Sequence, residues 1–192
     1  EIYEAKQASE LDAGAFLFLA PNGMNVIKTL GLDSALEREG LATTGITFYN
    51  SRGKQIGELG NRFDKERYGA RGHVLKRETI FRILRDEVER QGFGLYFGKR
   101  LVKVSTYPSG VRATFEDGTT ATGDALVGAD GINSSTRQLI LPDSPQPTYL
   151  GLVDTGGFAE LPNLRHLTGP QHMVFGRRAS FGYVVKPSGE VF

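Results

Sequence analysis

Gly123-Asp124-Ala125-Leu126-Val127-Gly128-Ala129-Asp130-Gly131 is the stretch on which the fold turns. Ala125, Leu126 and Val127 read as the end of a strand begun near Thr119, and Gly128 to Gly131 break it. An aspartate at a strand end beside a glycine can accept a hydrogen bond from a ligand hydroxyl while the backbone closes in. The competing reading of Asp130 is an ordinary strand-to-helix turn in which it satisfies local backbone donors. Ser134 to Ile140 then reads as a short helix, capped by Ser134 and with Arg137 bracing the loop.

Upstream, the clearest helix runs from Arg77 to Arg90, with Ile80, Ile83, Leu84 and Val88 on one face, and Gln91-Gly92 ends it. Strands are predicted over 95–105, 111–116 and 119–127, joined by the turns Pro108-Ser109-Gly110 and Asp117-Gly118. Residues 45–59 read as a hairpin around Ser51-Arg52-Gly53. Nearer the start come a strand over 1–5, a polar loop through Asp12 and an extended apolar run over 14–19. Pro21-Asn22-Gly23 reads as a break, after which Met24, Ile27 and Leu30 have helical spacing that stops at Gly31. Asp33 is predicted to cap a helix through Arg38 that ends at Gly40. Downstream, Pro142, Pro145 and Pro147 mark a linker, followed by strands near 149–158, 172–177 and 180–186 and a turn at Pro187-Ser188-Gly189.

Composition removes several function classes. The 23 basic and 22 acidic residues leave a net charge of +1, without the basic excess of a nucleic-acid binder. No apolar run approaches the ~20 residues of a membrane helix. The absence of cysteine excludes disulfides, zinc thiolates and thiol catalysis, and fits the cytoplasm. His73, His166 and His172 have no metal-ligand spacing, so no metal is expected. Gly92-Phe93-Gly94-Leu95-Tyr96-Phe97-Gly98 is rejected as a phosphate loop because it has one residue too many and follows a helix. Glycine is abundant, 25 of 192 residues, which suggests tight turns or close backbone approaches to a ligand. The chain starts and stops within strand-like sequence, so it is expected to be an internal piece of a longer protein.

Taken in order, six segments resemble the FAD-dependent class A flavoprotein monooxygenases, the relatives of para-hydroxybenzoate hydroxylase. They are Ile2-Tyr3-Glu4; Gly14-Ala15-Phe16-Leu17-Phe18-Leu19-Ala20-Pro21-Asn22-Gly23; Leu30-Gly31-Leu32; Arg77 with Ile80 and Leu84; the 123–131 stretch with Ser134 and Arg137; and Phe175-Gly176-Arg177-Arg178 through Phe181-Gly182-Tyr183. The resemblance spans essentially the whole chain. It implies an α/β fold in which a Rossmann-like FAD/NAD(P)-binding domain (1–42 and 73–147) is interleaved with a β-sheet-rich substrate domain (43–72 and 148–192). It also implies FAD as cofactor, NAD(P)H as co-substrate and a small organic, often aromatic, substrate. One oxygen atom of dioxygen would enter that substrate by way of a flavin C4a-hydroperoxide.

By the same resemblance Glu4 would bind the adenosine ribose, and Leu17 and Phe18 would run beside the cofactor, mainly through backbone. Arg77 would approach the flavin or the pyrophosphate, and Asp130 and Gly131 would contact the FAD ribose and help bind the nicotinamide cofactor. Phe175, Phe181 and Tyr183 would roof a substrate pocket. No catalytic base is implied, because the chemistry belongs to the cofactor. Read without the resemblance, Glu4 is a solvated charge, Arg77 a helix-surface residue paired with an acid, and each aromatic ordinary sheet packing. Two alternatives stand beside the monooxygenase: a related FAD oxidoreductase that inserts no oxygen, and a non-catalytic piece that binds no cofactor. The family's glycine-rich loop is not found before Glu4, nor its later glycine-aspartate motif, and Ala5 stands where a basic residue often follows, with Lys6 one position on. The chain by itself is therefore expected not to hold FAD firmly.

Overall fold

The computed structural model describes residues 1–10 and 14–192; the Asp12 end of the expected polar loop lies outside them. In chain order the elements are β1 (Ile2–Tyr3), a 3-10 turn (Ala8–Glu10), β2 (Phe16–Leu19), α1 (Pro21–Thr29), α2 (Asp33–Glu39), β3 (Leu41–Ala42), β4 (Gly45–Asn50) and β5 (Gln55–Gly60). Then follow α3 (Asp64–Tyr68), β6 (His73–Lys76), α4 (Arg77–Arg90), β7 (Leu95–Tyr96), β8 (Leu101–Tyr107), β9 (Gly110–Phe115), β10 (Thr120–Gly123) and α5 (Ser135–Ile140). The last are β11 (Ala159–Glu160), a 3-10 helix (Pro162–Leu167), β12 (Gln171–Phe175), β13 (Ser180–Val184) and β14 (Glu190–Val191). The mixed α/β class is as the sequence implies.

Local chemistry accounts for most boundaries. Pro21 does not break the chain: it is the first residue of α1, where a missing N–H removes no helical hydrogen bond. Asp33 is likewise inside α2, whose N-cap is Leu32, so it acts through its charge on the helix N-terminus and not as the cap. Asn50 organises the β4–β5 turn, its side-chain oxygen accepting from the N–H groups of Arg52 and Lys54.

Contacts divide the chain into two compact units, Glu1–Leu11 with Glu87–Asp154, and Asp12–Asp86 with Thr155–Phe192. This division falls at other bounds than the expected domains, because the α1, α2 and β6 region groups with the sheet that holds 43–72. In the first unit β1 pairs parallel to β7, and β8, β9 and β10 form an antiparallel meander. Tyr3 stacks on Tyr96 at 5.1 Å and on Phe115 at 4.7 Å, which ties the pair to the meander. The strand expected to run through Val127 ends at Gly123. Gly123 pairs with Val111, and one residue further β9 reaches its own turn, so no ladder partner remains among the described residues and Val127 is 87% exposed.

In the second unit the sheet order is β13-β12-β4-β5, with β4 and β12 parallel and the other pairs antiparallel. A second sheet, β2-β6-β3, lies in the same unit. Met24, Ile27, Leu32, Leu36, Leu75 and Ile83 form the main core, the apolar faces of α1, α2 and α4 closing on β6. A smaller core joins Val74, Val184 and Phe192, with Phe16 and Leu41 against it. Among the described residues no strand forms over 149–158, where one was expected; pairing there begins at β11, opposite β14.

Candidate functional site

Asp130 sits in the loop before α5 and is held from the C-terminal side. The Ser134 hydroxyl donates to its Oδ1, while the Thr136 N–H and hydroxyl donate to Oδ2 at 2.9 and 3.1 Å. Burial opposes its ionisation, but these donors outweigh it and lower the carboxyl to about 2. Ser134 caps α5 by accepting from the Arg137 N–H at 2.9 Å, and the Arg137 guanidinium donates to the Ile132 carbonyl at 2.6 Å. Both roles are those expected from the sequence. The backbone approaches closely here, since a Cβ on Gly128 would lie 2.7 Å from the Thr136 methyl. Gly131 is the opposite case, with φ of 77° and nothing within 4 Å of where a Cβ would be, so its backbone is bare. The structure thus shows the local-turn reading of Asp130 in full and leaves an ionised carboxylate next to an uncovered glycine. Thr136, which the sequence reading did not single out, completes the turn; its signal was a hydroxyl six residues after the aspartate.

Glu4 follows β1 in the same unit. Its N–H donates to the Tyr96 carbonyl at 2.8 Å and its carbonyl accepts from the Lys99 N–H at 2.8 Å, so the backbone is fixed on both sides. The side chain takes the Lys6 N–H on Oε1 at 2.8 Å. Lys6 therefore contributes its backbone at this position.

Leu17, Phe18 and Arg77 lie in the second unit. Leu17 and Phe18 pair in β2 with Leu75 and Val74 of β6. Leu17 is half-buried, and the Phe18 ring lies so close over Gly72 that a Cβ there would overlap it. Arg77 is brought to the start of β2: its N–H donates to the Ala15 carbonyl at 3.1 Å, and its Cδ would lie 3.2 Å from a Cβ on Gly14. Arg77 is exposed at the start of α4 and makes no ion pair among the described residues.

Phe175, Phe181 and Tyr183 do not share a face. Opposite residues in a ladder point the same way, so the His172↔Tyr183 and Val174↔Phe181 pairs put Tyr183 and Phe181 on one face of the sheet. Phe175 is on the other, stacked with Phe48 at 6.0 Å. The three rings therefore cannot roof one pocket together. In place of Phe175 the first face carries Tyr49 and His172, giving a row Phe181–Tyr183–His172–Tyr49 with centroid spacings of 5.8, 4.7 and 6.0 Å and ring planes within 29° of parallel. His172 is buried, its Nε2 2.9 Å from the Leu167 carbonyl and its Nδ1 3.5 Å from the Tyr49 hydroxyl. Burial, and then the nearby Tyr49, push the Tyr183 hydroxyl above its ordinary pKa. Sequence reasoning missed Tyr49 and His172 because nothing local shows that β4 and β12 are neighbours. Among the described residues no group of three or more His, Asp or Glu is placed to hold a metal ion, and no helix is long and apolar enough to cross a membrane.

Residues 6–161 match the FAD binding domain family. The chain is 30% identical over 162 residues to the FAD-dependent urate hydroxylase of Klebsiella oxytoca, covering 84% of this chain and 41% of that protein. It is 30% identical over 187 residues to 3-amino-4-hydroxybenzoate 2-monooxygenase of Streptomyces cremeus, covering 89% of this chain and 47% of that protein. It thus spans less than half the length of these curated relatives. Its fold is similar to that of Klebsiella pneumoniae HpxO, solved with FAD and uric acid, at a TM-score of 0.80 and 23% identity over 98% of this chain and 47% of the other.

Proposed function

The chain belongs to the FAD binding domain family, and from that premise we propose that it is part of an FAD-dependent monooxygenase that uses NAD(P)H and dioxygen to hydroxylate a small planar ring compound. The match over 6–161 carries this reading. The relatives are named for urate and for 3-amino-4-hydroxybenzoate, both planar rings with hydrogen-bonding substituents, which supports the substrate class. A cytoplasmic enzyme, supplied with NAD(P)H, is part of the proposal.

The residues present fit FAD. Its ribose hydroxyls need acceptors, its pyrophosphate needs a cation, and both need backbone that a side chain does not cover. Asp130 supplies an ionised carboxylate and Gly131 the bare backbone beside it. Glu4 has a carboxylate on a backbone fixed by Tyr96 and Lys99. Arg77 is exposed and makes no ion pair among the described residues, as a phosphate ligand should. In this reading Glu4, Asp130 and Gly131 bind sugar hydroxyls, Arg77 faces negative charge, and Leu17 and Phe18 line the cofactor. Bound FAD supplies the redox chemistry; the protein orients and shields the reactants. Residues 1–42 and 73–147 would serve the cofactor, and 43–72 and 148–192 the substrate.

The test is made on the whole protein containing this chain. Purified protein is expected to be yellow with FAD near one per chain, and NAD(P)H oxidation with a suitable ring substrate under labelled dioxygen should place one labelled oxygen atom in the product. Hydrogen peroxide as the sole oxygen product would assign a flavoprotein that inserts no oxygen. Colourless, flavin-free protein would assign a non-catalytic role.

A further inference from the structure

The parallel pairing of β4 with β12 sets two turns side by side at one end of a sheet in the second unit. Asn50 lies opposite Phe175, and these are the last residues of their strands, so the β4–β5 and β12–β13 turns leave the sheet at the same end. With the strand order β13-β12-β4-β5, the centres of the two turns are two strand spacings apart, about 10 Å. The first turn carries Arg52 and Lys54, the second Arg177 and Arg178, and all of them are exposed. Neither turn contains an acid, and Glu58, inside β5, is the only carboxylate on these strands. None of the four cations takes part in an ion pair among the described residues. The chain as a whole has a net charge of +1, so this unneutralised group is a local surplus. Backbone hydrogen bonds close both turns, from the Gly53 N–H to the Asn50 carbonyl at 3.0 Å and from the Gly176 N–H to the Ala179 carbonyl at 2.9 Å. Asn50 braces the first turn further through the N–H groups of Arg52 and Lys54. The cations thus stand on preformed turns, and an anion that binds them does not first have to order the backbone.

We propose that these two turns together bind the phosphate groups of the nicotinamide dinucleotide, and that they make the protein prefer NADPH to NADH. The inference rests on the reading of the protein as an NAD(P)H-dependent flavoenzyme, and it adds which charges hold the co-substrate. A pyrophosphate carries two negative charges, and the additional ribose phosphate of NADPH carries nearly two more at neutral pH. Arg52, Lys54, Arg177 and Arg178 balance that total, whereas NADH would leave about half of the surplus unmatched. The arginines suit this ligand because a planar guanidinium meets two phosphate oxygens at once. Long side chains on turns this close allow the phosphates of one extended dinucleotide to engage both. A lipid surface presents the same phosphate chemistry, and the dinucleotide is favoured because the proposed reaction consumes it.

The experiment uses the whole protein with its oxidised flavin and measures the binding of NADP+ and NAD+ by titration calorimetry. The oxidised dinucleotides bring the phosphates without reducing the flavin. NADP+ is expected to bind about fivefold more tightly than NAD+, and its affinity should fall as salt rises from about 50 to about 300 mM. Arg52→Ala with Lys54→Ala, and Arg177→Ala with Arg178→Ala, should each weaken NADP+ binding about fivefold. With all of them replaced the loss should reach about thirtyfold, and the preference over NAD+ and most of the salt dependence should disappear. Lys28→Ala, which removes an exposed cation of α1, should change none of these readings. The replaced side chains protrude from turns that the backbone and Asn50 close, so the variants are expected to fold, and unchanged flavin content checks this. If the variant lacking all the cations binds NADP+ as tightly as the unsubstituted protein, the proposal is overturned and the monooxygenase reading stands. Loss of flavin from that variant, with NADP+ binding intact in the loaded fraction, gives the turns to the flavin's own pyrophosphate and overturns it too. So does binding to phosphatidylserine but not phosphatidylcholine vesicles that is lost in that variant while NADP+ affinity is unchanged, since the turns then read a lipid surface. An unsubstituted protein that binds neither dinucleotide and oxidises neither reduced form removes the NAD(P)H reading itself, and the proposal with it.

Discussion

Asp130 illustrates how a residue serves structure and ligand at once. Its two oxygens already take three donors, from Ser134 and Thr136, and these keep it ionised at any pH well above 2. Replacing it with alanine removes those acceptors together with any bond to a ribose hydroxyl. A lost hydrogen bond to a charged group costs roughly 1.5–3 kcal/mol. In the whole protein Asp130→Ala is therefore expected to weaken FAD retention about tenfold to a hundredfold, read as flavin released on dialysis. Ser134→Ala, which loosens the cap of α5 but leaves the carboxylate, separates the two contributions: it should cost about 1 kcal/mol of stability in a denaturant melt with a much smaller loss of flavin. Unchanged flavin content and reduction rate in Asp130→Ala would remove Asp130 from the proposed site.

At the scale of elements, the second unit is pinned where β6 meets the turn before β14. Glu190 is largely shielded and accepts from Lys76 at 2.6 Å and Lys186 at 3.2 Å. Burial alone would raise its pKa, but the two ammonium groups prevail and lower it. A carboxyl with a lowered folded-state pKa stabilises the fold above the unfolded value and loses that contribution as pH falls through the folded one. Glu190→Gln should thus destabilise the protein by about 1–3 kcal/mol near pH 7. The difference from the unsubstituted protein should shrink as pH falls below about 4, where glutamate protonates in an unfolded chain. Urea unfolding at pH 7 and at pH 3 checks this, and an equal difference at both would show that charge is not what the residue contributes. The β4–β12 pair is the other decisive element, because its parallel register from Ile46↔Gln171 to Asn50↔Phe175 puts Tyr49 and His172 on one face.

For the molecule as a whole, the notable surface lies where the chain passes out of the first unit. Tyr149, Leu150, Leu152 and Val153 are 74–84% exposed in a stretch without secondary structure. Extended, unpaired backbone with accessible aromatic and aliphatic side chains is what a protease engages first. Chymotrypsin is expected to make its first cut in the 192-residue chain at Tyr149 or Leu150, as mass spectrometry of early fragments will show. A first cut inside the β8–β9–β10 meander would contradict the order of local stability implied here.

What the sequence by itself determined were the features whose causes are local. The Arg77–Arg90 helix follows from apolar spacing and a glycine stop, the β4–β5 and β8–β9–β10 hairpins from turn chemistry at Ser51-Arg52-Gly53, Pro108-Ser109-Gly110 and Asp117-Gly118, and the Ser134 cap from a hydroxyl ahead of a short helix. Where a local rule had two outcomes the structure chose the other one, as with Pro21 and Asp33, which both entered their helices. The resemblance carried by the ordered segments also reached the family, which composition and spacing alone do not specify. Tertiary structure alone decided which strands have partners. The apolar run to Val127 and the stretch 149–158 look like strands but face no ladder among the described residues, and a strand's hydrogen bonds are made by its neighbour. It also decided which aromatics share a face. Phe175 parts from Phe181 and Tyr183 through the β12–β13 register, and Tyr49 joins His172 through a pairing of segments some 120 residues apart in the chain, since the ring contacts are set by those registers and not by the sequence around each ring.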